Sequence, residues 1–272
     1  MLLYLVRHGQ TEQNARGIVQ GHLDTPLSPT GQEQAKKLSE WLKLVPFTEA
    51  WSSPLNRAEN TARIICAGQP KAKLRIDERL VTQGAGRAEG QPWEEVKGKM
   101  DEMGGEPRAD LSARLHDWLS VLLDTHTPAA SGSATPISPL SPTSSSGPAL
   151  ERALSSIKGL PRPGIARSGS VQTNTTSKGV VLVVTHQECI TALLDMLTSQ
   201  STDEMEKLKK KAPIDLHVPE HISFEGEEGK QVGNTGVAIL RVWWEDGEEG
   251  MGLVPRGRLE AWGSEEHLRD EE

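Results

Sequence analysis

Arg7-His8-Gly9, Arg57 and Thr185-His186 are the stretches of this 272-residue chain whose residue types converge on one chemistry. Phosphoryl transfer needs a nucleophile in line with the leaving oxygen, positive charge on the equatorial oxygens, and a proton for the leaving group. Arg7 and Arg57 offer planar forks that match phosphate oxygens. His186 adds a hydrogen bond and, when protonated, a further positive charge. His8, neutral at one ring nitrogen, is able to attack phosphorus and form a covalent phosphohistidine that water then cleaves. The sequence contains no convincing carboxylate cluster and no P-loop. The expectation is therefore chemistry without a metal or any other cofactor, with arginine and histidine providing the charge. Taken singly, an Arg-His pair is an ordinary solvated loop and a histidine after a strand is ordinarily packed; the set carries the reading.

These side chains act together only if the fold delivers them to one place. Residues 2–6 form an unbroken apolar run, the pattern of a strand buried in a parallel sheet, and they end at Arg7-His8. A short strand at 50–53 ends shortly before Arg57. The β-branched run 180–184 ends at Thr185-His186. Helices are expected between them. One carries Ala35, Leu38, Leu42 and Val45 and stops at Pro46; another covers 55–67; a third follows His186 with Ile190, Leu193, Leu194 and Leu197 on one face. Further strands are expected at 73–76 and 237–243. Leu111, Leu115, Trp118, Leu119 and Leu122 make an amphipathic stripe within a helical region over 91–124, expected as a small cap over the sheet edge. Strands alternating with helices predict an α/β fold, a three-layer α/β/α arrangement with a mostly parallel central sheet. Ligands bind such sheets at the C-terminal ends of the strands, which is where the two histidines and two arginines fall.

The apolar fraction, 35%, is below the usual globular share, so part of the chain is expected to lie outside the core. Residues 126–178 are dominated by Ser, Thr, Pro, Gly and Ala and read as a disordered insertion. They divide one domain into a first part, 1–125, and a second, 179–243. Residues 244–272 read as an acidic, frayed tail. Within the insertion, Thr135-Pro136, Ser138-Pro139, Ser141-Pro142 and Arg167-Ser168 are candidate kinase sites; an inert spacer is the plainer reading. Net charge is −8, from 38 acidic and 30 basic side chains, which gives no general attraction for nucleic acid or an anionic membrane. An anionic partner, a small phosphorylated substrate or a phosphopeptide, must be held by a local positive cluster. Cys66 and Cys189 lie in apolar surroundings without a CxxC partner and read as buried thiols. The six apolar residues before Arg7 are too few for a signal peptide, and no run approaches the ~20 needed to span a bilayer. A cytoplasmic location is expected, the nucleus left open.

At this point the motifs resemble a known family. Residues 7–35, with Arg7-His8-Gly9-Gln10-Thr11-Glu12-Gln13-Asn14 and then Gln20-Gly21-His22-Leu23-Asp24-Thr25-Pro26-Leu27-Ser28-Pro29-Thr30-Gly31, look like the opening of the histidine phosphatase superfamily, phosphoglycerate mutase-like branch. Ser52-Ser53-Pro54-Leu55-Asn56-Arg57 is similar to its second block, and Val183-Val184-Thr185-His186 to its third. Gly233-Asn234-Thr235-Gly236 is similar to its last-strand motif, and Gly105-Glu106 with Arg114 to its cap pattern. The resemblance implies His8 as nucleophile, with Arg7, Arg57 and His186 completing a phosphate pocket. It puts Asn14, Gln20 and Gly21 at substrate-contacting positions. For Asn14 and Gln20 a loop-stabilising hydrogen bond is nearly as good a reading, and for Gly9 backbone geometry is the better one.

One position departs from the family. Its general acid is usually a glutamate in a segment like Arg-Leu-x-Glu-x-x-x-Gly-x-x-Glu-Gly; here the frame runs intact from Arg79 to Gly90 with Thr82 in the acid position. A threonine cannot act as an acid near neutral pH, and loss of a positioned acid costs about 10²–10⁴ in rate. Three readings stay open. Glu78 or Glu89 reaches in; or the substrate has a good leaving group; or the protein is a catalytically weak phospholigand-binding module. His186 is followed by Gln187-Glu188 instead of the Gly-Asn pair of the family's mutases, which favours a phosphatase of phosphomonoesters over a phosphoglycerate-type mutase.

Overall fold

The computed structural model describes residues 1–128, 179–198, 213–224, 228–247 and 252–269. Residues 129–178, which carry the candidate kinase sites, lie outside the described residues.

A seven-stranded sheet organises the chain. β1 (Leu2–Arg7) lies between β4 (Val180–Thr185), its parallel neighbour, and β6 (Val237–Asp246), which runs antiparallel. Beyond β4 come β2 (Glu49–Ser52) and β3 (Lys73–Ile76), both parallel to the block. Beyond β6 come β7 (Leu253–Ser264), antiparallel to it, and β5 (Asp215–His217), parallel to β7. The expected α/β architecture is present, with a parallel half carrying β1 to β4 and an antiparallel extension.

Alternation along the strands builds two cores. Leu3, Leu5, Val181, Val183, Ala238 and Leu240 face one side with Trp118, Leu119, Ile190 and Leu193; Leu2, Tyr4, Val6, Leu182, Val184 and Ile239 face the other with Leu38, Ala58, Ala62 and Ile65. The first side is covered by α5 (Arg108–His126) and α6 (Gln187–Thr198), the second by α2 (Pro29–Trp41) and α3 (Asn56–Cys66). Ser28 caps α2, accepting from the Gly31 amide at 3.1 Å with Pro29 in the first turn, the arrangement expected from its Ser-Pro-Thr-Gly start. That helix stops at Trp41, five residues before Pro46.

Two expectations change. The stripe on α5 belongs to the main core: Leu111, Leu115 and Trp118 are almost fully buried on the sheet face, so α5 is a layer helix and not part of a cap. What stands over the strand ends is the short-turned segment before it, with 3₁₀ turns at Gly86–Ala88 and Met100–Met103 and the four-residue α4 (Trp93–Val96). The segment after residue 244 is not a frayed tail. β6 runs on to Asp246 and β7 returns beside it, with Leu259 and Ala261 buried. A 3₁₀ turn at Glu266–Leu268 follows and seats His267 in the interior. Its inward positions, Gly257, Leu259 and Ala261, are small or alternate with charges, so the acidic surroundings masked a period-two pattern. Among the described residues no helix is long and apolar enough to cross a membrane.

Candidate active site

His8 follows β1 directly, and His186 follows β4, its hydrogen-bonded neighbour. The shared register, Arg7 beside Thr185, brings the two histidines side by side, with ring centroids 5.2 Å apart. Arg57 comes from the first turn of α3, where it is almost fully buried. Arg7, His8, Arg57 and His186 line one cavity of about 810 Å³, together with Asn14, Gln20 and Gly21. All seven residues proposed from the sequence for nucleophile, pocket and substrate contact are thus brought together.

His8 is buried, and its Nδ1 lies 2.7 Å from the carbonyl oxygen of Gly9. A carbonyl only accepts, so Nδ1 carries the proton and the lone pair of the neutral ring sits on Nε2. Burial above all, then Arg7 and Arg57, holds the His8 imidazole well below its usual titration range, with the Gly9 carbonyl opposing weakly. The ring is therefore neutral at neutral pH, with Nε2 unprotonated, the state a nucleophile needs. His186 is held low as well, by burial first and then by His8, Arg57 and Arg7. Its Nε2 meets the Ser53 hydroxyl at 2.8 Å.

The arginines are positioned by carbonyls. Arg57 donates to Leu23 at 2.7 Å and to Gly21 at 2.9 Å, and Arg7 donates to Val232 at 2.8 Å. Burial draws Arg57 down to about 10, leaving it charged at neutral pH. Three buried polar atoms of this set have no hydrogen-bond partner: Nε of Arg7, Nε of Arg57 and Nδ1 of His186. Buried polar atoms are rarely left unpaired, and each such group costs about 1–3 kcal/mol. Three in one cavity wall, two of them on cations, make a site that favours an anion with several oxygens.

Asn14 and Gln20 do more structural work than ligand contact requires. Asn14 closes a capping box at α1 (Glu12–Ala15), its Oδ1 accepting from the Thr11 amide at 3.1 Å. The Gln20 carbonyl oxygen accepts from the hydroxyls of Thr11, at 2.9 Å, and Thr25. Both still line the cavity, so the loop bond and the wall position coexist. Gly21 has φ +48° and lends its carbonyl to Arg57. Gly9 is required by close approach: a Cβ there would stand 2.6 Å from the Gly31 carbonyl oxygen.

The two candidate proton donors do not reach the cavity wall. Glu78 is exposed on a 3₁₀ turn beyond the strand ends. The Glu89 carboxylate is used by the backbone, accepting from the His22 amide at 2.9 Å and the Ala85 amide at 3.1 Å. It ties two loops together and is not among the residues that line the cavity. Thr82, by contrast, lines the cavity where the family frame put it. Arg114 holds that segment, donating to the carbonyls of Arg79, Val81 and Thr82 at 2.6 to 2.9 Å while paired with Glu106 at 2.7 Å. Sequence reasoning passed over Glu188 as anything but a branch marker. It lines the cavity on the first turn of α6 and accepts from the Thr82 hydroxyl at 2.8 Å. Its place two residues past a strand-end histidine was the available signal. Gln187, also on the cavity wall, accepts from the Val232 amide at 2.7 Å. Among the described residues no three His, Cys, Asp or Glu side chains cluster closely enough to hold a metal ion.

Residues 3–130 match the histidine phosphatase superfamily, branch 1. The resemblance seen in the motifs is thereby shown over the segment that carries His8, Arg57 and Thr82. The chain is 46% identical over 69 residues to the adenosylcobalamin/alpha-ribazole phosphatase of Salmonella typhimurium, covering 25% of this chain and 34% of that protein. It is 40% identical over 99 residues to fructose-2,6-bisphosphatase TIGAR B of Danio rerio, covering 35% and 38%. A probable phosphoglycerate mutase, GpmB of Salmonella paratyphi A, is 34% identical over 135 residues, covering 45% and 63%. The matches thus span from about a third to under two thirds of these relatives. Among solved structures, a mycobacterial glucosyl-3-phosphoglycerate phosphatase superposes with TM-score 0.59 at 22% identity, covering 97% of this chain and 99% of that one. A phosphoserine phosphatase from Entamoeba histolytica superposes with TM-score 0.56 at 20% identity, covering 98% and 99%. At these identities the structural likeness is one of fold alone.

Proposed function

We propose that this protein is a metal-independent phosphatase that hydrolyses phosphomonoesters through a phosphohistidine on His8. The observation that carries the reading is the juxtaposition of a neutral His8, with its lone pair on Nε2, and three buried, unpartnered nitrogens of Arg7, Arg57 and His186. A phosphate seated on those nitrogens presents its phosphorus to Nε2, and the fixed positive charge of the arginines meets the charge that develops in transfer. The family match and the phosphatase names among its relatives support the same reading. The ligand is a small phosphorylated molecule or a phosphopeptide, and the unpaired thiols of Cys66 and Cys189 suit a reducing, cytoplasmic setting. The Ser-Pro and Thr-Pro sites of the insertion are proposed kinase targets, checked by mass spectrometry of the protein from its own cell.

The test is an assay of phosphate release from an aryl phosphate in the presence of a chelator, with the intermediate trapped by rapid denaturation. An acid-labile phosphoenzyme in the wild type, absent in His8→Ala together with turnover, is the expected result. Undiminished turnover in His8→Ala removes the mechanism.

A further inference from the structure

The proposed reaction lacks a proton donor at the position where the family frame holds one, and the cavity wall identifies its replacement. Two carboxyl groups line the cavity among the described residues, Glu106 and Glu188. Glu106 is committed elsewhere. Both of its oxygens accept from Arg114, at 2.7 and 2.8 Å, and the Gly84 amide adds a third bond at 3.2 Å. Arg114 and that amide hold it below the usual glutamate range against the opposing effect of burial, so it stays a carboxylate.

Glu188 is differently placed. It stands two residues after His186 and within electrostatic reach of Arg7 and Arg57, the groups assigned to the phosphate. One carboxyl oxygen, Oε2, is fixed by the Thr82 hydroxyl at 2.8 Å, and the Glu188 backbone carbonyl is fixed by Arg108 at 3.1 Å. Among the bonds described for its side chain, Oε1 has no part, which leaves that oxygen to carry a proton. A phosphate ester seated on Arg7 and Arg57 shares this cavity wall with the Glu188 carboxyl.

We propose that Glu188, positioned by Thr82, is the proton donor of this phosphatase, and that the substrates are phosphomonoesters of ordinary alcohols, whose leaving groups need one. The inference rests on the phosphatase reading above. In the first step His8 Nε2 bonds to phosphorus as the P–O bond to the alcohol breaks, and the Glu188 proton goes to the departing oxygen. In the second, water attacks phosphorus as the P–N bond breaks. Its proton passes to the Glu188 carboxylate, so inorganic phosphate leaves and both residues regain their starting state. The threonine at the acid position thus relocates the acid instead of abolishing it: a hydroxyl, too weak to donate the proton itself, orients the carboxyl that does.

The test uses the full chain and two probes, glycerol 2-phosphate, with an alkoxide leaving group, and p-nitrophenyl phosphate, whose phenolate leaves unaided. In Glu188→Gln, kcat/KM for glycerol 2-phosphate is expected to fall about 10²–10⁴-fold and that for p-nitrophenyl phosphate by less than about tenfold. Should Glu188→Gln fail to fold, Thr82→Val reads the same split at smaller amplitude, and Thr82→Ser restores the alkyl activity. A merely structural role for Thr82 would depress both probes together. Equal losses on the two probes, or no loss, overturn the proposal while a trapped phosphoenzyme leaves the phosphatase reading standing. A wild type that forms no phosphoenzyme overturns both.

Discussion

The Nε2 atom of His186 lies 2.8 Å from the hydroxyl of Ser53, and the same hydroxyl accepts from the Leu55 amide at 3.3 Å. One serine therefore joins the end of β2 to the histidine after β4 and turns the other ring nitrogen, Nδ1, loose for a ligand. Ser53→Ala leaves a buried imidazole nitrogen unpaired, a loss of about 1–3 kcal/mol. We expect kcat/KM to fall about ten- to hundredfold, the amount that such an energy corresponds to, with a lowered Tm. Unchanged kinetics with p-nitrophenyl phosphate would show that the serine does not orient the ring.

Gly9 supplies the carbonyl that sets the tautomer of His8, and it packs against Gly31 with no room for a side chain. Gly9→Ala must push the two segments apart. Overpacking of this kind costs about 1–3 kcal/mol. The expected outcome is a lower denaturation midpoint and a phosphoenzyme burst that is slower than wild type, since the Nδ1 partner moves with the backbone.

Stability depends on pH through three interior histidines. His8 and His186 are held well below the usual value, and His267 is drawn down to about 4, in each case chiefly by burial. Below about pH 6.5 the unfolded chain binds protons that the folded one refuses, so unfolding becomes easier as pH falls. Between pH 6.5 and 4 each such histidine contributes up to about 1.4 kcal/mol per pH unit to that slope. His267→Gln, outside the cavity wall, is expected to flatten the slope by one proton. Chemical denaturation at pH 7.5, 6 and 5 measures it; an equal slope in the variant would contradict the assignment.

Trp118 decides what α5 is for. Its side chain is fully buried and meets Trp51 edge-on, with ring centroids 6.4 Å apart. Trp118→Ala is expected to cost about 3–5 kcal/mol of global stability. A helix that only capped the site would instead raise KM and leave the unfolding midpoint nearly unchanged.

The sequence was most legible where physics acts locally. β1 and β4 are apolar runs too short for anything but buried strands, and the residues that end them, His8 and His186, were placed correctly as a consequence. The pocket arginines followed from the same logic. Harder to read were features that depend on long-range pairing. Gly257, Leu259 and Ala261 on β7 carry too little hydrophobicity to announce a strand, and they become one only because β6 offers its edge. Glu89 was a plausible acid by spacing, but the amides of His22 and Ala85 claim its oxygens. Glu188 sat in plain view beside His186, and only its meeting with Thr82 across 106 positions of sequence gives it a role.

The turn that seats His267 has one more consequence. Its ring meets the Thr235 hydroxyl at 2.8 Å, and the Thr235 amide in turn reaches the carbonyls of Arg7 and His8 at 3.1 and 3.3 Å. The backbone at Arg7 and His8 is therefore braced by a turn far along the chain. Such distant pairings form late in folding. A chain truncated before residue 267 would hold Arg7, His8, Arg57 and His186 and still lack the strut behind His8, so the proposed activity is expected to need that turn as well as the pocket.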